Sequence, residues 1–63
     1  MIVKFVTKRD NNGNRYTLEV NHTEKTYKKD YNIMFYDGFI EITKSAMRGL
    51  EGLYKKQGYT EIF

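Results

Sequence analysis

From residue 43 to residue 58 the apolar side chains Ala46, Met47, Leu50, Leu53 and Tyr54 recur at spacings of three and four. At 3.6 residues per turn this lays them along one stripe and predicts an amphipathic helix. Lys44, Arg48, Glu51 and Lys55 fall on the opposite side, which is expected to face water, and Glu51 precedes Lys55 by four residues, the favourable order for an ion pair. A hydroxyl of Thr43 or Ser45 suits the amino-terminal cap. Lys55 and Lys56 complement the dipole at the other end, and Gly58 stands where a left-handed terminating residue belongs. Gly49 and Gly52 lie with Ser45 and Lys56 along one flank of the stripe. Each glycine costs about 1 kcal/mol relative to alanine inside a helix, so the pair predicts close packing on a sheet, with a seat for a partner as the second reading.

The remaining apolar positions follow a period of two. Val3, Phe5 and Thr7 alternate with Lys4, Val6 and Lys8, and Tyr16, Leu18 and Val20 alternate with Arg15, Thr17, Glu19 and Asn21, as in half-buried strands. Asn12-Gly13 between them predicts a two-residue type I′ turn with positive φ at both positions. That turn pairs Phe5 with Val20, Thr7 with Leu18 and Asp10 with Arg15, and brings both apolar sets to one face. Residues 21–25 are polar and predict a second turn, followed by a strand from Thr26 to Lys29. Its lysines suit a strand at the sheet edge. Asp37-Gly38 predicts a turn before a strand over residues 39–42, residues 59–63 suit a last strand, and residues 33–36 fit either a strand or an apolar loop.

These elements define one α+β domain over residues 1–63. The expected architecture has two layers, a mostly antiparallel sheet of four to five strands with one helix packed on one face, in the order β-β-β-β-α-β. If the strands before and after the helix are parallel neighbours, the crossover between them is right-handed.

With 40% hydrophobic and 16% aromatic residues and no proline, the chain lies outside the disordered class. It has no cysteine, which removes disulfides and thiolate chemistry and fits a reducing compartment. Met1 to Val6 is interrupted by Lys4 and runs into a strand pattern, so neither a signal peptide nor a membrane span is expected and the cytoplasm is the expected location. Asn21-His22-Thr23 matches a glycosylation acceptor, which matters only in a secreted chain.

The net charge of +3 belongs to the first half. Residues 1–31 hold seven Lys and Arg against four Asp and Glu, and residues 32–63 hold four of each. Lys25, Lys28 and Lys29 interleave with Tyr27 and Tyr31, and Arg15 and Tyr16 join them if the second and third strands pair. Cations for phosphate and rings for bases point to single-stranded nucleic acid, with Arg15, Tyr16, Lys25, Tyr27, Lys28 and Lys29 as the candidate residues.

Catalytic groups are scarce. His22 is the lone histidine and Ser45 the lone serine, the latter at a helix start where a cap explains it. One imidazole among scattered carboxylates lacks the clustered spacing of zinc or calcium sites, and the glycines sit singly, without a phosphate-cradling loop. No catalytic residue, metal or cofactor is expected, and the chain reads as non-enzymatic.

The strand, Asn-Gly turn and Tyr-x-Leu strand of residues 8–18, together with Ile42-Thr43-Lys44 through Leu50 to Gly58-Tyr59, resemble small uncharacterised proteins of Gram-positive bacteria and their phages. The likeness covers about two thirds of the chain, rests on turn and cap residues, and implies a bacterial or phage cytosolic setting. It carries no functional residue with it. Two functions follow from the residues themselves. The first is a protein-interaction module, most simply a homodimer, using aromatic residues outside the core alternation: Tyr27, Tyr31, Phe35, Tyr36 and Phe63. The second is weak single-stranded nucleic-acid binding through the basic, tyrosine-containing strand edge.

Overall fold

The computed structural model describes residues 1–63 and contains five strands and one helix. They are β1 (Ile2–Thr7), β2 (Tyr16–Asn21), β3 (Thr26–Tyr31), β4 (Ile40–Ile42), α1 (Lys44–Lys56) and β5 (Thr60–Ile62). The spatial order is β4-β1-β2-β3-β5. β2 is antiparallel to β1 and to β3, whereas β4 lies parallel to β1 and β5 parallel to β3. The α+β class and the single helix agree with the expectation. The sheet is mixed, however, because both late strands dock on the outer edges of a three-stranded meander.

This placement corrects two expectations. β3 is not an edge strand, since β5 pairs outside Thr26–Lys28. β4 and β5 are not neighbours but occupy opposite edges, so α1 must cross the whole sheet. Four inter-strand spacings come to about 19 Å, and thirteen helical residues span about 20 Å. The helix is as long as the sheet is wide.

Both helix ends are closed by local bonds. Thr43 Oγ1 accepts the Ala46 N–H at 3.1 Å as N-cap. At the other end Gly58 (φ +88°) donates to Lys55 O, and Tyr59 donates to Tyr54 O across the last turn. This is a Schellman motif, and the Tyr54 and Tyr59 rings lie 5.0 Å apart as its apolar contact.

The buried face of α1 is rotated from the expected stripe. Met47 is buried, Leu50, Glu51 and Tyr54 are half-buried, and Ala46 and Leu53 are exposed, Leu53 at 46%. Lys29 lies beneath the rotated face. It occupies the helix-facing side of β3 opposite Leu18, and its ammonium lies 3.8 Å from Glu51 and 3.9 Å from Glu61. Glu51 thus stands beside Lys29, and the expected Glu51–Lys55 pair does not form. Gly49 and Gly52 do not pack closely, because a Cβ at either position meets nothing within 4 Å.

Leu18, Val20, Tyr27 and Met47 form the core, with Phe5, Ile42, Leu50, Tyr54 and Tyr59 packed against it. Tyr27 is only 3% exposed, which corrects its placement on an outer surface: β5 lies beyond it and the helix above it. The opposite face also has a cover. Val6 and Thr17 point away from the helix yet are buried, and the segment 32–39 shields them. Lys4 Nζ sits 5.4 Å from the centroid of the Phe39 ring and the Arg15 guanidinium 4.5 Å from that of Tyr36. Residues 33–36 are thus a loop, and Tyr36 is half-buried.

The β1–β2 register also differs. Val3 faces Val20 and Phe5 faces Leu18, two residues away from the predicted pairing. Asn12 has no positive φ, so the turn is not type I′. Instead Gly13 N–H bonds Asp10 O, Asp10 N–H bonds Asn14 O, and Gly13 takes φ +80°, giving a three-residue loop. Lys8 and Arg9 then stand against Arg15 alone, a second displacement of one residue. Two displacements in the same direction restore the parity, so the apolar faces agree although the partners do not.

Asp10 Oδ1 accepts the N–H groups of Asn14 and Asn12, each at 2.9 Å. The Asn14 hydrogen bond is the largest cause of a carboxyl held below its usual range, and the charge of Lys44 acts in the same direction. A depressed folded-state value stabilises fully above the unfolded value of about 3.9 and is lost as pH falls through the folded value. Asp10→Asn is therefore expected to be less stable than the parent near neutral pH, with the gap closing as urea midpoints are followed down to strong acid. Met47→Ala is expected to cost about 2 to 5 kcal/mol and Leu50→Ala less, because Leu50 is only half-buried. The reverse order of denaturation midpoints would mean that the buried helix face is wrongly placed.

Candidate functional site

The path of α1 decides which parts of the sheet remain open. It leaves β4 after Ile42, in the row of Thr7, and delivers the chain to Thr60, in the row of Thr26 at the other end of the strands. A diagonal crossing leaves two opposite corners of the helix-facing side uncovered.

One corner is polar and aromatic. It is a cleft of about 370 Å³ between the first turns of α1 and the end of β3, lined among others by Tyr16, Tyr31, Lys29, Lys44, Arg48 and Glu51. Tyr16 and Tyr31 face each other across β2 and β3 with ring centroids 6.2 Å apart. Tyr31 is 63% exposed, and Lys44 Nζ lies 5.2 Å from the Tyr16 ring centroid. Lys44 also stands 3.7 Å from Asp10. A second cleft of about 250 Å³ continues along the same flank between Lys55, Gly52 and Tyr27, and it shares Lys29, Arg48 and Glu51 with the first.

The other corner is apolar. Ile40 pairs beside Phe5 and is 52% exposed, Val3 and Phe5 are half-buried, and the opposite flank of α1 presents Ala46, Leu50 and Leu53. β4 covers β1 only from Phe5 onward. Met1 O accepts the His22 N–H on the β2 side, so by alternation Ile2 and Lys4 turn their backbone groups away from β2. The N–H groups of both residues and the Ile2 carbonyl lie beyond the end of β4.

The residues selected for nucleic acid do not share a surface. Tyr16, Tyr27 and Lys29 lie on the helix side, with Tyr27 buried. Lys28 projects from the opposite face, and Lys25 sits in the β2–β3 turn with φ +54°. Arg15 is held by the Thr7 carbonyl at 3.0 Å, by Glu41 at 3.1 Å and by the Tyr36 ring. Nor do the aromatic residues form one patch. Tyr31 borders the polar cleft, Phe35 belongs to the 32–39 segment, and exposed Phe63 follows β5. Lys44, Arg48 and Lys55 escape a sequence reading because an amphipathic helix assigns its cations to solvent. Their spacing of four and seven residues was the available signal, since it repeats on one side of a helix.

Elsewhere His22 Nδ1 is hydrogen-bonded to the Tyr59 hydroxyl at 2.9 Å, with its ring edge-on to Tyr54 and Tyr59. Ser45 is an exposed first-turn residue. No three His, Asp or Glu side chains converge as metal ligands. No helix is long and apolar enough to cross a membrane. Comparison with protein-family models, curated proteins and solved structures finds no match.

Proposed function

We propose that this chain is a non-enzymatic interaction module that self-associates through the open half of β1 and the apolar corner beside it. The observation that carries this reading is the coincidence of two incomplete features at one place. Ile40 and Leu53 leave about half of their surface in water there, and the adjacent β1 backbone has donors and an acceptor without a strand partner. An unpaired strand edge next to apolar side chains is a template for another strand. A two-fold axis at Val3 is the arrangement compatible with a second copy. It directs each Lys4 N–H at the Ile2 carbonyl of the other chain and brings the two apolar corners together, as an isologous interface requires.

Sedimentation velocity over a range of protein concentrations tests this. A dimer whose population rises with concentration and survives added salt is the expected result, because an apolar interface is only weakly screened. Leu53→Glu is expected to shift the equilibrium to monomer with little change in the unfolding midpoint, since Leu53 is largely exposed in the single chain. A parent protein that remains monomeric at millimolar concentration would refute the reading.

A further inference from the structure

The polar flank of α1 carries an observation independent of the apolar corner. The two clefts share Lys29, Arg48 and Glu51 and so form one groove between the helix and the outer strands. Along its rim stand Lys44, Arg48 and Lys55, spread over about 16 Å of helix at 1.5 Å per residue. On its floor Lys29 stands between Glu51 and Glu61, at 3.8 and 3.9 Å. Arg48 and Lys55 form no ion pair, and Glu51, the carboxylate four residues before Lys55, stands beside Lys29. At one end the exposed Tyr31 ring stands beside Tyr16.

We propose that this groove binds single-stranded nucleic acid, with a base stacked on Tyr31 and the phosphodiester chain following Arg48 and Lys55 along the helix. Three features favour this ligand. A row of cations suits an anion of repeating charge rather than a single anionic group. An exposed ring at the end of that row offers a stacking surface that every base can use. Asp10, Asp30, Glu51 and Glu61 match the four cations of the groove in number, so the attraction rests on the unpaired Arg48 and Lys55, which fits weak binding without sequence preference. A free nucleotide has the same phosphate and ring, but it meets one end of the row and leaves the rest unused.

Anisotropy titration of a short labelled oligothymidylate, beside competition by unlabelled thymidine monophosphate and by inorganic phosphate, tests the proposal. With two phosphate contacts the affinity is expected to fall about sevenfold between about 50 and about 200 mM salt, and only about threefold for Arg48→Gln, which removes one contact. Tyr31→Ala is expected to weaken binding at least about fivefold. Lys28→Gln removes the same charge from the opposite face of the sheet and is expected to leave the affinity close to that of the parent, apart from a small general charge effect. Thymidine monophosphate competing as well as the oligomer would overturn the strand and assign the groove to free nucleotides. Phosphate competing as well as either would overturn the stacking role. Absence of binding at low salt, or equal losses in Lys28→Gln and Arg48→Gln, would overturn the site.

Discussion

The structure depends on a match of lengths. The meander β1–β2–β3 has two free edges, and the chain supplies a short parallel strand to each, β4 to β1 and β5 to β3. A single helix must join those two strands on the diagonal, and at about 20 Å it covers most of that path, residues 57–59 supplying the rest. The caps hold the span at that value. Thr43 starts the helix directly after β4, and the Gly58 Schellman motif turns the chain back into β5 within a few residues. A longer helix would carry β5 past the edge of β3, and a shorter one would leave it unpaired.

The helix and its caps were legible in the sequence because they depend on neighbours three to five residues apart. The meander was legible for a similar reason, since alternation identifies the faces of a strand whatever its partner. What alternation does not encode is which strand lies alongside. Lys25, Lys28 and Lys29 resemble an edge, and only the arrival of β5 from the far end of the chain makes β3 internal and buries Tyr27. Glu51 shows the same limit. Its helical position suggests water and a pair with Lys55, but Lys29 on the sheet competes for it, and such a contact has no trace in local spacing. Asn12-Gly13 marked the turn correctly and its type wrongly. The Asp10 carboxylate gathers the loop N–H groups into a wider turn that an Asn-Gly pair also accommodates.

The candidate surfaces follow from the same crossing. One flank of α1 overlooks β1 and β4 and presents leucine and alanine, whereas the other overlooks β3 and presents lysine and arginine. A helix laid straight along a strand would have covered both regions or exposed both ends alike. The diagonal separates an apolar surface from an ionic one on a chain of 63 residues. The residues involved were visible in the sequence as a helical stripe and its opposite side. Their division between two separate clefts was not, because it depends on where the sheet edges end.

The mixed topology also has a consequence for local opening of the native state. The pairs within the meander join strands linked by short turns, whereas Phe5 pairs with Ile40 and Thr26 with Thr60 across most of the chain. Contacts so distant in sequence form late and cost more loop-closure entropy than those of a hairpin. β4, α1 and β5 are also a continuous segment clamped at both ends, so releasing one edge strand loosens the helix that holds the other. Lifting that segment exposes Leu18, Val20 and Tyr27, so amides at the two distant sheet edges are expected to share one opening free energy, close to that of unfolding the whole chain.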